Sequence, residues 1–235
     1  MTLTIIPVEG IGEIAPGDEI AVLVAEAARA QKTPIADGDC LVVTQKIVSK
    51  AEGRMVELDP DDLAARRALV EQESVRIVRR RGDLIISETR HGFVCANAGI
   101  DLSNVERGYA ALLPVDADRS AKHVRDAMRA REGVEVAVIV SDTFGRPWRR
   151  GLTDVAIGVS GIAAVVDLRD TTDALGRVLQ VTEVAVADEI AAAAELVMGK
   201  AAGIPAAIVR GFDRSWLREG SVRELVRPPG EDLFR

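Results

Sequence analysis

Apolar and polar positions change period several times along the chain, and each change marks an element. Thr2-Leu3-Thr4-Ile5-Ile6-Pro7 alternates and predicts a strand, which Glu9-Gly10-Ile11-Gly12-Glu13 interrupts as a glycine-bearing loop. Ile20, Leu23, Val24, Ala27 and Ala28 then recur at helical spacing, with Asp18 as the expected N-cap. The Asp37-Gly38-Asp39 turn precedes a short apolar run at 40–44 that reads as a buried strand, and Gln45 to Lys50 follows with two lysines four residues apart. Residues 59–81 look helical and densely charged, so Arg79-Arg80-Arg81 is expected to close a helix, where cations complement the dipole. Two apolar stretches, 84–86 and 93–95, predict a hairpin, and 116–131 predicts a helix. The valine-rich run 134–140 predicts a buried strand that gives way to a loop at Ser141. Further strands are expected at 155–159, 162–168, 178–181 and 206–209, with an alanine-rich helix over 185–198. Strands outnumber helices without a steady βαβα alternation, which favours an α+β fold over a doubly wound sheet.

Composition narrows the class. The chain has 235 residues, 48% of them hydrophobic and 29% charged, which suits a folded domain and excludes disorder. No linker divides it, so 1–235 reads as a single unit. Aromatic residues are only 3%, leaving aliphatic side chains to build the core. No apolar run approaches the ~18–20 residues of a membrane span, and no signal-peptide pattern opens the chain, so a cytoplasmic protein is expected. Cys40 and Cys95 are too few for a disulfide framework or a four-ligand zinc site. Thirty basic against 37 acidic residues give a net charge of −7, which argues against nucleic-acid binding but not against a small anionic ligand.

Neither a Gly-x-Gly-x-x-Gly nor a P-loop motif occurs. The densest chemistry lies in Ser141-Asp142-Thr143-Phe144-Gly145-Arg146-Pro147-Trp148-Arg149-Arg150-Gly151. Asp142 and Thr143 offer oxygen ligands for Mg²⁺ or Mn²⁺, and Arg146, Arg149 and Arg150 can face phosphate; a capped turn with solvated arginines is the alternative. Asn97-Ala98-Gly99-Ile100-Asp101-Leu102-Ser103-Asn104 can supply a second carboxylate to the same metal, or form an Asx turn. Lys46 and Lys50 can reach a phosphate or form a solvated face, and residues 9–13 can wrap a nucleotide or simply turn. His91 and His123 have no partner at metal-ligand spacing, so zinc is not expected. Asp188-Glu189 fits a helix N-terminus, and Cys95 has no activating neighbour in sequence.

Together, Val42-Val43-Thr44-Gln45-Lys46-Ile47-Val48-Ser49-Lys50, the 98–104 segment, Ser141-Asp142-Thr143-Phe144-Gly145-Arg146 and Thr182-Glu183-Val184-Ala185-Val186-Ala187-Asp188-Glu189 resemble the coenzyme F-420 γ-glutamyl ligase family. The likeness runs from Ile5 to Phe234. It implies a two-lobed α+β fold with mixed and antiparallel sheets, a homodimer, and GTP-driven addition of L-glutamate to a deazaflavin precursor through an acyl phosphate. By resemblance, Asp101 and Asp142 bind a first divalent ion and Thr143 a second, with K⁺ as a further candidate. By the same resemblance Ile11, Gly12, Glu13 and Ile14 line the GTP pocket with Gln45, Lys50 and Asn104; for the phosphoryl transfer itself, Lys50 and Arg146 are the expected phosphate clamps. Leu152 stands where many members have Gln. The nitroreductase-like domain of a two-domain bacterial form is expected to be absent. A related ligase with another acceptor, or a non-catalytic module that binds nucleotide or deazaflavin, is the alternative.

Overall fold

A computed structural model describes residues 2–103 and 105–232; Asn104 and the end of the likeness at Phe234 lie outside the described residues. The fold is α+β. Its larger lobe is a five-stranded sheet made of β1 (Thr4–Pro7), β2 (Cys40–Thr44), β8 (Ala137–Gly145), β9 (Leu152–Ser160) and β12 (Ala206–Arg210), in the order β1-β12-β2-β8-β9. Only β2 and β8 run parallel; the other neighbours are antiparallel. Strand alternation divides the side chains between two cores. Leu41, Val43, Val138 and Val140 pack with helices α1 (Ile20–Ala30) and α4 (Ala117–Glu132) on one face. Cys40, Val42, Ala137 and Ile139 pack with α5 (Val186–Met198) on the other. Both faces of the central strands are therefore covered, which is why 40–44 and 137–140 read as unbroken apolar runs.

The smaller lobe is inserted between the two parallel strands. After β2 come α2 (Gln45–Ala51), β3 (Met55–Glu57), α3 (Leu63–Gln72), the antiparallel β4 (Ser74–Arg81), β5 (Leu84–Thr89) and β6 (Val94–Ala96), and then β7 (Tyr109–Ala111), which pairs with β3. Val70, Ile85 and Ala98 form its small core. Phe93 meets Phe144 of β8 edge to face, with ring centroids 6.1 Å apart, and so ties this lobe to the end of the large sheet. Beyond β9, β10 (Val166–Asp167) and β11 (Glu183–Val184) are the base of an arm on which Leu175 and Val181 are 80% and 85% exposed.

The structure corrects four expectations. Glu19, not Asp18, is the N-cap of α1; Asp18 Oδ2 instead accepts the Ala15 N–H at 2.8 Å and closes the preceding turn. The helix expected over 59–81 ends at Gln72, and 74–81 is strand β4. There the β-branched Val75, Ile77 and Val78 prevail, and Arg76 and Arg80 pair with Glu88 and Glu71 at 3.1 and 2.7 Å, so the arginine run does not end a helix. β8 does not stop at Val140 but continues to Gly145, because β9 pairs with it throughout as a ribbon beyond the sheet. Of the stretches 162–168 and 178–181, only Val166–Asp167 is strand; Val178 makes a single bridge to Thr172 within the arm.

Candidate active site

A cleft of about 760 Å³ opens where β2 turns into α2 and β8 leaves the sheet as its ribbon with β9. Crevices at the carboxyl ends of parallel strands are a general place for ligands, because the chain diverges there. Three parts of the chain meet at this one: the 11–14 loop, Asp101, Val105 and Glu106 of the inserted lobe, and the 199–205 loop after α5.

Asp101 follows a backbone held in the left-handed region at Asn97, Ala98 and Gly99 (φ 51°, 53° and 71°). Paired hydrogen bonds with Ala111, at 3.0 and 2.9 Å, fix its backbone. Its Oδ1 accepts the Ser103 N–H at 2.7 Å, the Asx turn that the sequence left open, and its Oδ2 lies 2.9 Å from Lys46 Nζ. Burial pushes this carboxyl upward, but the hydrogen bonds from Ser103 and Lys46 outweigh it and hold the group below the ordinary aspartate value.

Asp142 is different. On β8 it alternates with its neighbours, so it points toward the α1 and α4 face while Ser141 and Thr143 point toward α5. Burial pushes its carboxyl up to about 7; the Thr143 N–H, which donates to Oδ1 at 2.8 Å, opposes this, and the negative charge of Asp101 adds to it. That electrostatic coupling and the shared cleft place the two aspartates together, although 41 positions separate them in sequence. The Cys95 thiol is also pushed up, to about 12, by burial first and by Asp142 second, which leaves it an unreactive neighbour.

On the other side of β8, Asp154 of β9 lies opposite Thr143 and is 2% exposed. Its two oxygens accept hydrogen bonds from Ser141 Oγ at 2.9 Å and Thr143 Oγ1 at 2.7 Å. Lys200 Nζ donates to Thr143 Oγ1 at 3.0 Å. At the first loop, Lys50 pairs with the exposed Glu13 at 2.7 Å and holds its carboxyl below the ordinary value. Gln45 lines the cleft but is buried, donating to Ser49 Oγ at 2.6 Å and to the Leu112 carbonyl at 2.9 Å.

The cleft thus gathers Ile11, Gly12, Glu13, Ile14, Gln45, Lys50, Asp101, Asp142 and Thr143. Arg146 is not in its lining: it lies on the exposed β8–β9 turn and donates to the Arg150 carbonyl at 2.8 Å. Leu152 is exposed on the same ribbon, opposite Gly145. The sequence reading missed Asp154, Glu195 and Lys200, which also line the cleft. Asp154 was legible in principle, as the cross-strand partner of Thr143 in a hairpin closed by 145–151.

The donor set is hard oxygen with no histidine or cysteine, which fits Mg²⁺ or Mn²⁺. Among the described residues no three acidic, histidine or cysteine side chains gather closely enough to hold an ion by themselves. Such ions usually take one or two carboxylates and complete their shell with water and substrate phosphate, so Asp101, Asp142 and the Thr143 hydroxyl match that mode.

The model of the F420-0:gamma-glutamyl ligase family matches residues 10–211. The chain belongs to this family. The coenzyme F420:L-glutamate ligase of Methanothermobacter thermautotrophicus is 47% identical to it, with all of both chains covered. Those of Methanopyrus kandleri and Archaeoglobus fulgidus are 43% and 41% identical over the whole of this chain and 98% and 97% of their own. No helix among the described residues is long and apolar enough to cross a membrane.

Proposed function

We propose that this ligase-family chain joins L-glutamate by an amide bond to the coenzyme F420 precursor, with GTP as the energy source and divalent cations as cofactors. A carboxylate is a poor acyl donor, so the precursor carboxylate first attacks the γ-phosphate of GTP, giving an acyl phosphate and GDP. The amine of glutamate then displaces phosphate. Such a transfer needs aligned oxygens and neutralised charge more than covalent help from protein.

The charge balance of the cleft is the observation that carries this reading. Six acidic side chains line it, at 13, 101, 106, 142, 154 and 195, against three lysines at 46, 50 and 200. A polyanionic triphosphate enters an acid-rich cleft only with cations to offset both partners. Asp101 and Asp142 repel each other, and an ion shared between them relieves that repulsion. When bound, divalent ions would supply charge neutralisation and orientation for the phosphates. Lys50 is paired with Glu13 of the 11–14 loop, and breaking that pair would free it for phosphate. Arg146 acts as a clamp only if the β8–β9 turn folds toward the cleft.

The exposed apolar positions of the 166–184 arm support pairing of two copies as a homodimer. Nothing in the charge balance calls for K⁺ beyond the divalent ions. The test is incubation with GTP, Mn²⁺, glutamate and the deazaflavin precursor. A mass gain of one glutamyl unit, with release of GDP and phosphate in equal amounts, is expected. Ligand binding without phosphate release would reduce the chain to a binding module.

A further inference from the structure

We propose that Asp154 is a positioning residue that makes the Thr143 hydroxyl an acceptor aimed into the cleft, and this rests on the metal-dependent reading above. A hydroxyl has one proton and two lone pairs. The Thr143 proton is taken by Asp154 at 2.7 Å, and one lone pair by Lys200 at 3.0 Å. The second lone pair therefore has no competing donor from Asp154, and the Thr143 oxygen is offered to a cation rather than turned from it. Ser141 is held in the same way through the other carboxylate oxygen, at 2.9 Å.

Three further observations favour a built arrangement over chance contacts. Asp154 is 2% exposed, and a buried carboxylate is costly unless its oxygens are satisfied; here two hydroxyls satisfy them. The β8–β9 register sets Thr143 opposite Asp154, so the pairing is held by the backbone ladder rather than by a flexible side chain. Between Val140 and Ser141 the register shifts by one residue on β9, and this bulge brings Asp154 to the same side as Ser141 and Thr143. Carboxylates that orient a ligating group in this way typically govern 10–100-fold in metal affinity or activity.

The closing experiment counts Mn²⁺ by the electron paramagnetic resonance of the unbound ion, alone and with a non-hydrolysable GTP analogue. In Asp154→Asn the amide must donate to one of the two hydroxyls, so one of them has to turn its own proton away. Expected is a roughly 10-fold or greater weakening of one of two Mn²⁺ sites, an unchanged second site, and a thermal midpoint near that of the wild type. Turnover should fall by a similar factor with the KM for glutamate unchanged. Thr143→Val should weaken the same site, and adding Asp154→Asn to it should cost about nothing more, because the two act as a unit. Additive losses would mean that Asp154 touches the ion or substrate directly, and overturn the proposal. Wild-type Mn²⁺ binding in both Asp154→Asn and Asp154→Ala, the second of which accepts from neither hydroxyl, overturns it as well, while leaving the metal reading intact. A wild-type chain that takes up no Mn²⁺ in either condition removes the metal reading itself. Should Asp154→Asn not fold, Asp154→Glu carries the same test: the charge stays, the two-point grip is lost, and an unweakened site contradicts the proposal.

Discussion

Asp101 and Asp142 carry the same functional group in opposite states of preparation. Asp101 is paired with Lys46 and held below the ordinary aspartate value; Asp142 is pushed up by burial and by the charge of its neighbour. Replacing Asp142 by Asn keeps the shape and removes the charge that the proposed ion would use. Turnover is expected to fall by about two orders of magnitude or more, roughly 3–4 kcal/mol of barrier, with the circular dichroism spectrum and unfolding midpoint retained. Near wild-type turnover would remove Asp142 from the chemistry. Asp101, Asp142, Thr143 and Lys50 were legible because they sit in short motifs that resemble a known family. Asp154 and Lys200 were missed: Asp154 is matched to Thr143 by a hairpin register that had to be worked out from the turn, and Lys200 reaches Thr143 only through the placement of the loop after α5. Arg146 shows the converse. Its proximity in sequence to Asp142 suggested a clamp, but the extended ribbon leaves its side chain outside the cleft lining and on the turn, bonded to the Arg150 carbonyl.

Among the elements, β9 is the outer strand of the large sheet, and its amides are capped from both faces. Asp118 of α4 accepts from Val159 N–H at 2.8 Å, and Asp188 of α5 accepts from Ala156 N–H at 2.9 Å. The sequence placed Asp188 at a helix N-terminus but gave no hint of the strand it satisfies. Burial raises the Asp188 carboxyl against the Ala156 hydrogen bond, so the folded chain binds this proton more tightly than the unfolded one. Stability from this group is therefore present at low pH and is lost as pH rises from about 4 through the folded value. Asp188→Asn, which keeps an acceptor for Ala156, should gain on the wild type in urea unfolding between pH 4 and pH 7; a parallel pH dependence in both proteins would contradict this. Where α4 crosses β9, a Cβ on Gly158 would lie 2.3 Å from the Ala117 backbone. Gly158→Ala is expected to cost about 1–3 kcal/mol in the same measurement. Apolar strands such as 40–44 were legible because burial on both faces leaves one reading. Strand β4 was not, since its arginines mask the β-branched residues and its acidic partners lie elsewhere in the chain.

For the whole molecule, the insertion of a second lobe between two parallel strands is what creates the cleft. The α+β class followed from element order, whereas the insertion did not, because β2 and β8 are separated by more than ninety residues of other structure. The same folding leaves the 166–184 arm projecting with Leu175 and Val181 exposed. If two copies pair through it, the double substitution Leu175→Asp and Val181→Asp should shift sedimentation from dimer to monomer; an unchanged dimer would move the interface elsewhere. The central claim is that the inserted lobe and the large sheet each contribute one carboxylate to a single ion. A crystal structure with Mn²⁺ and a GTP analogue tests it most directly, through the anomalous signal of manganese. One peak bonded to both Asp101 and Asp142, with Lys46 displaced toward phosphate, is the predicted result; peaks bonded to neither, with Asp101 still paired to Lys46, would contradict it.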